Sequence, residues 1–281
     1  MNAQPNAPFL RRRLGRRLKA MRDAAGLTLE EASARLDKTR SSLHRIETGA
    51  TRADVHLIRS MMDLYDQWEE GLIDQVREAN KPQWFRNYGV DELGYIDVET
   101  HARQVREFGV LNPPGLLQTE AYVRALLSSS RRKRTKQQID NEVEVRLIRQ
   151  RRLTDEENPL ELVAIVDEAA LRREVGGPRT VHEQLRQLVE AAAWPTVTLQ
   201  VIPFRDGAHS GMDGAFTLVS FPEPSDPELL YVEHTAGALH IEDADAIRAA
   251  KLAFDQLRTE ALSPADSVAL IERIAGELDR P

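Results

Sequence analysis

No cysteine occurs among the 281 residues. That absence excludes disulfide staples, thiolate nucleophiles, Cys-ligated zinc and iron–sulfur clusters, and it fits a reducing cytoplasm. Long apolar runs are missing too: no window approaches the ~18 uncharged apolar residues that a membrane-spanning helix needs. Met1 to Pro8 has no apolar run and leads straight into arginines, so it does not read as a secretory signal. The seven histidines are scattered, with no HExxH or His-x3-His spacing, so no metal site is expected. No G-x-G-x-x-G, P-loop or nucleophile–base–orienter set can be found, which argues against a cofactor and against an enzyme. What is present, 41% hydrophobic and 30% charged residues, describes an ordinary globular chain of two or three domains.

The net charge of −7 is unevenly spread. Residues 1–52 hold twelve Lys/Arg and five Asp/Glu, a balance of +7, which leaves −14 for the remainder. A basic head on an acidic body implies that only the head meets a polyanion.

Spacing gives the head its form. Leu10, Leu14, Leu18, Met21 and Ala25 fall on one helical stripe, while Arg12, Arg13, Arg16, Arg17 and Lys19 occupy much of the rest. Gly26 ends this helix. Thr28 with Glu31 forms a capping box for a second helix, whose face is Ala32, Ser33 and Leu36. After Asp37-Lys38, Thr39 caps a third helix that stops at Gly49. Leu43 and Ile46 point inward from it, and Arg40, Ser41, His44 and Arg45 point outward. Residues 55–65 predict a fourth helix and 66–79 a fifth that includes Trp68, with a boundary at Asn80-Lys81-Pro82.

Two short helices joined by a three-residue break, the second carrying arginines outward, have the layout of a helix-turn-helix. The stretch GLTLEEASARLDKTRSSLHRIETG, from Gly26 to Gly49, resembles the Cro/C1 (Xre) family of DNA-binding domains. The resemblance implies a five-helix domain that binds double-stranded DNA. It places Arg40, Ser41 and Arg45 nearest the bases, with His44 flanking them. It gives Thr28 and Thr39, with the backbone N–H groups at their helix starts, to phosphates, supported by Lys19, Arg17 and Lys38. Glu47 and Arg22 become an internal scaffolding pair. Three positions depart from the family: Leu29 stands in place of a phosphate-binding glutamine, Asp37 replaces the turn glycine, and Lys38 replaces an apolar turn residue.

From Trp84 onward the composition changes. Trp84, Phe85, Tyr88, Leu93, Tyr95, Ile96, Val98, Val105 and Phe108 read as core. A rigid Pro113-Pro114-Gly115 turn follows, and Thr119 caps a helix through Leu127. The run Arg131-Arg132-Lys133-Arg134 with Lys136 reads as a solvated loop, with a phosphate contact as the sharper alternative. Residues 142–152 continue as a helix. Strands are expected at 160–166, 197–202, 216–221 and 230–232, with helices from Thr180 to Ala192, from Asp243 to Thr259 and from Ser263. The loop from Phe204 to Gly214 reads as a glycine-rich hairpin connection, with a ligand loop as the alternative. Asp167-Glu168 reads as a helix-start acid pair. The expected fold class is therefore multidomain α+β: an all-α five-helix head over residues 10–80, a helical connecting and dimerisation segment over 82–153, and an α+β domain with a small sheet flanked by helices over 154–281.

Trp84-Phe85, residues 114–119, Asp167 to Leu171 and Val201 to Phe204 together resemble the large C-terminal domain of actinobacterial WhiJ-like regulators. These resemble antitoxin components. The likeness implies a homodimer and a small partner protein, with a palindromic operator whose half-sites lie about 34–36 Å apart. A body that senses a small molecule, lined by residues 84–108 and 204–214, is the alternative. Neither reading calls for a cofactor.

Overall fold

The computed structural model describes residues 8–90, 94–224 and 226–278, which fall into two compact units. The first holds residues up to 84 with those of 94–98; the second holds 85–90 and everything from 99 onward. Residues 1–7 and Leu93 lie outside the described residues.

Five helices build the first unit: α1 (Phe9–Ala24), α2 (Leu29–Arg35), α3 (Arg40–Glu47), α4 (Val55–Tyr65) and α5 (Leu72–Asn80). Of the predicted stripe on α1, Leu14, Leu18 and Met21 are buried, Leu10 and Ala25 partly so, and it meets Leu43 and Ile46 of α3, Ile58 and Met61 of α4, and Leu72 and Val76 of α5 in a single core. The second helix starts in a closed capping box, since Thr28 Oγ1 accepts from the Glu31 N–H at 3.2 Å and Glu31 Oε2 accepts from the Thr28 N–H at 2.9 Å. The turn into α3 passes through Asp37, whose φ of 51° is left-handed; Asp tolerates that region better than most residues. The first helix crosses the end of α3 so closely that a Cβ on Gly15 would stand 2.4 Å from the Glu47 carbonyl oxygen. Only glycine fits there.

One boundary in this unit differs from the sequence expectation. The fifth helix begins at Leu72 rather than Asp66, because Asp66 and Gly71 both adopt left-handed backbone angles and form a turn between them. Trp68 therefore sits in that turn, 66% exposed, rather than in the core.

Helix α6 (Tyr95–Thr100) runs from the first unit into the second. The second unit is an α+β domain around a six-stranded mixed sheet of order β3-β2-β1-β4-β5-β6. Its strands are β1 (Gln104–Gly109), β2 (Glu161–Asp167), β3 (Val197–Ile202), β4 (Phe216–Ser220), β5 (Leu229–His234) and β6 (Gly237–Ile241). The first three are mutually parallel, with Phe108 opposite Ile165, and the last three are antiparallel. The helices are α7 (Glu120–Ser129), α8 (Lys136–Gln150), α9 (Glu168–Arg172), α10 (Pro178–Ala191), α11 (Ala244–Glu260) and α12 (Pro264–Leu278). Ile247, Phe254 and Leu257 of α11 cover Phe108, Ile165, Leu218 and Leu230 on one sheet face.

The sheet also corrects the sequence reading. Strand β1 lies inside the stretch expected to be helical, yet it sits at the centre of the sheet. Its polar pair Arg106-Glu107 hides the strand pattern. Arg106 is spent on an ion pair with Glu228 at 2.9 Å, and Glu107 is largely enclosed on the opposite face. Strand β6, a five-residue outer strand, is likewise absent from the sequence expectation. The 204–214 loop is not a hairpin connection: it joins β3 to β4, which stand three places apart in the sheet. It is pinned along the way, with His209 Nε2 3.3 Å from Asp167 Oδ2 and the Ser210 N–H donating to Glu260 at 2.9 Å. Asp167 caps α9 through the Ala169 N–H, and the buried Glu168 accepts from the Phe204 N–H at 2.9 Å.

Candidate nucleic-acid interface

Helix α3 is amphipathic in a way that fixes its roles. Leu43, Ile46 and Glu47 are buried, whereas Arg40, Ser41, His44 and Arg45 are exposed. These four fall at i, i+1, i+4 and i+5, so they form one outward strip. Lys38 and Thr39 are exposed at its leading end. Thr39 accepts from the Ser42 N–H at 3.1 Å and closes the cap.

The two helix starts differ electrically. The first turn of α2 carries Glu30 and Glu31; the first turn of α3 carries no acid. Orphan N–H groups and the helix dipole make such an acid-free start favourable to an anion. At the start of α2 the anion is already supplied. Glu31 is bonded to the backbone and hydroxyl of Thr28, which holds its carboxyl below the usual range. Thr28 is thus tied into its own box. Arg17 is paired with Glu69. Arg40 is paired with Glu30 at 2.5 Å, but both side chains are about two-thirds exposed, so this contact is weak and readily exchanged for a phosphate or a base edge. Lys19 is exposed on α1.

Behind the strip lies a buried strut. Arg22 Nε donates to Glu47 Oε1 at 2.7 Å and Nη2 to Oε2 at 3.0 Å, with side-chain exposures of 7% and 4%. The remaining Nη1 donates to Asp23 and to the Leu27 carbonyl, both within 2.8 Å. The bond to Glu47 raises the Arg22 pKa further, and burial pushes the neighbouring Tyr65 hydroxyl up to about 12. Such a fork is rigid because the guanidinium and carboxylate match in plane and spacing. It fixes the rotation of α3 about its axis and so aims the outward strip.

Sequence reasoning did not single out Glu30 as the partner of Arg40, nor the exposed cations Arg35 and Arg52 near the same helices. The acid at the start of α2 was visible; its pairing across the turn needed the helix geometry. Elsewhere, no cluster of His, Asp and Glu able to hold a metal occurs among the described residues, and no described helix is long and apolar enough to cross a membrane.

A helical unit with a capped, outward-facing basic helix held on a close-packed neighbour defines a helix-turn-helix domain. Residues 13–74 match a family model described as a helix-turn-helix domain, a class that binds DNA. Residues 94–273, more than half of the chain, match the family described as a domain of unknown function (DUF5753), and the chain belongs to that family. No catalytic family is identified among these matches. No curated protein and no solved structure matches the chain.

Proposed function

We propose that this protein is a sequence-specific transcription regulator that binds a palindromic operator as a homodimer. In this reading α3 lies in the major groove, with Arg40, Ser41 and Arg45 against base edges and His44 beside them. Arginine suits guanine because its planar fork donates to O6 and N7 together. Thr39, Lys38 and the acid-free start of α3 hold one phosphate and Lys19 another; Thr28 joins them once its hydroxyl is released from Glu31, and Arg17 once released from Glu69. The observation that carries the reading is the exposed Arg40-Ser41-His44-Arg45 strip aimed by the buried Arg22–Glu47 fork.

Titration of folded variants with a duplex selected from a random pool tests it. Arg40→Ala or Arg45→Ala should cost about 1–3 kcal/mol of binding and relax preference at one position. Unchanged affinity in both would remove α3 from the interface. Lys19→Ala should instead weaken all sequences alike and flatten the salt dependence.

The body, in the same reading, sets dimer geometry and accepts a small regulatory partner protein, as in antitoxin-like regulators. Its support is the resemblance at residues 84–85, 114–119, 167–171 and 201–204. Light scattering should return twice the 31.7 kDa chain mass. A short open reading frame beside this one should encode a product that co-purifies with it. A monomer that binds its selected duplex with no partner would overturn this part.

A further inference from the structure

The acidic body contains a stretch that contradicts its charge. Between Ala121 and Ile139 there are six Lys/Arg and no Asp or Glu, inside a segment that otherwise carries the net negative charge of the chain. The structure sorts these six into two groups. Arg124 in the middle of α7 is held by Glu120 and Asp140, and Arg134 by Glu142 at 2.8 Å. Arg134 is only 12% exposed and also donates to the Arg132 carbonyl, bracing the turn between α7 and α8. Arg131, Arg132, Lys133 and Lys136 are exposed, and among the described residues none of them pairs with a carboxylate. Two cations are therefore spent on building a turn that presents four others.

The helix that follows keeps this turn positive. The capping box of α8 uses Thr135 and Gln138, with the neutral amide where α2 uses Glu31. Its first turn holds no acid and opens with Lys136, against the preference of the helix dipole. Local helix stability is given up here in favour of uncompensated charge. Around the cations stand hydroxyl and amide groups, Ser128, Ser129, Ser130, Thr135 and Gln137, with no large exposed apolar side chain among them. A protein interface needs an apolar core with few charges, and a membrane surface needs side chains that insert. Lysine and arginine interspersed with serine and threonine hydroxyls match a sugar-phosphate backbone.

We propose that the turn from Arg131 to Lys136 is a second DNA-contacting surface, one that grips phosphates without reading sequence. The proposal rests on the DNA-binding role of the head. Once the head holds a duplex, the turn meets it at the high effective concentration of a tethered site, so an interaction too weak to act alone adds to the whole.

The full chain and its Arg131→Ser/Arg132→Ser/Lys133→Ser variant should be titrated with a long mixed-sequence duplex between about 50 and 200 mM salt. The variant should bind more weakly, and its log–log salt slope should be shallower by about 0.9 for each phosphate that it no longer neutralises. It should keep the sequence preference of the parent and its thermal midpoint, since none of the three side chains supports the fold. An Arg131→Glu/Arg132→Glu variant should weaken binding further. Parallel slopes in a parent whose duplex binding still depends on Arg45 would overturn the second surface alone. A parent that ignores duplexes at the lowest salt would overturn both the head reading and this one. Loss of binding to polyglutamate or to anionic vesicles, with duplex binding intact, would assign the turn to a different partner and overturn the proposal.

Discussion

Among the described residues each unit holds a buried arginine–glutamate fork, and the two forks differ in the carboxylates around them. In the head, Arg22 meets Glu47 alone at depth, and every nitrogen of the guanidinium has a partner. In the body, Arg149 Nε and Nη2 donate to Glu99 at 2.6 and 2.7 Å, with exposures of 7% and 3%. There, however, a second carboxyl is close. Burial pushes Glu107 of β1 up to about 7, Glu99 adds repulsion, and Arg149 and Arg146 offset only part of this. The head fork thus stands beside no second buried carboxyl among the described residues, whereas the body fork stands beside one whose own pKa is raised.

The largest expected effect is common to both. Arg22→Ala leaves Glu47 buried without its countercharge, and Arg149→Ala does the same to Glu99. Each should cost about 3–5 kcal/mol in urea unfolding of the full chain. A loss below about 1 kcal/mol in either would mean that water replaces the guanidinium, and the fork would then not be a strut.

A smaller effect separates the two. Glu107 has a folded-state pKa raised above its unfolded value, so the stability linked to it is full below about pH 4.5 and is lost as pH rises through about 7. Glu107→Gln does not titrate. It should match the parent near pH 4.5 and exceed it at pH 8 by on the order of 1–2 kcal/mol, a value discounted because Glu107 keeps some surface. Equal pH dependence in parent and variant would remove Glu107 from the account. No such difference is expected from the head, whose fork has no second carboxyl at depth.

The two forks were unequally legible in the sequence. The head is built from contacts that local pattern encodes: the Thr28–Glu31 box, the Thr39 cap, and a stripe of leucines with period near 3.6. Its fork came through the family resemblance, since Arg22 and Glu47 stand twenty-five residues apart and only helix packing joins them. In the body Glu99 and Arg149 stand fifty residues apart, and nothing local marks either. Strand β1 escapes sequence reasoning for a related reason. A central strand normally shows an apolar run, but this one carries Arg106, paired with Glu228 from a distant element, and Glu107, whose pKa is raised chiefly by burial. The course of the 204–214 loop is hidden because glycine spacing signals a turn and not which strands it joins. Of the candidate interface, the outward arginines were legible from periodicity. The pairings that restrain Arg17 and Arg40, with Glu69 and Glu30, were not.

The smallest expected effect sharpens the comparison at the far ends of the same helices. Each fork grips its helix near the C-terminus, at Glu47 on α3 and at Arg149 on α8, and a threonine caps the opposite end, Thr39 and Thr135. The helices differ in length, eight residues against fifteen. A two-turn helix has few internal hydrogen bonds to set against a frayed start, whereas a four-turn helix has many. Thr135 also has a reserve: its N–H donates to Gln138 at 2.8 Å, and that bond survives truncation of the threonine side chain. Thr39→Ala should therefore cost about 1 kcal/mol, and Thr135→Ala about 0.5 kcal/mol. Amide exchange reads this locally, at Ser42 and Gln138, the donors to the two caps. Faster exchange at Ser42 than at Gln138 is the expected order. The reverse order would mean that the Arg22–Glu47 fork holds all of α3 by itself, and the cap would then be spare.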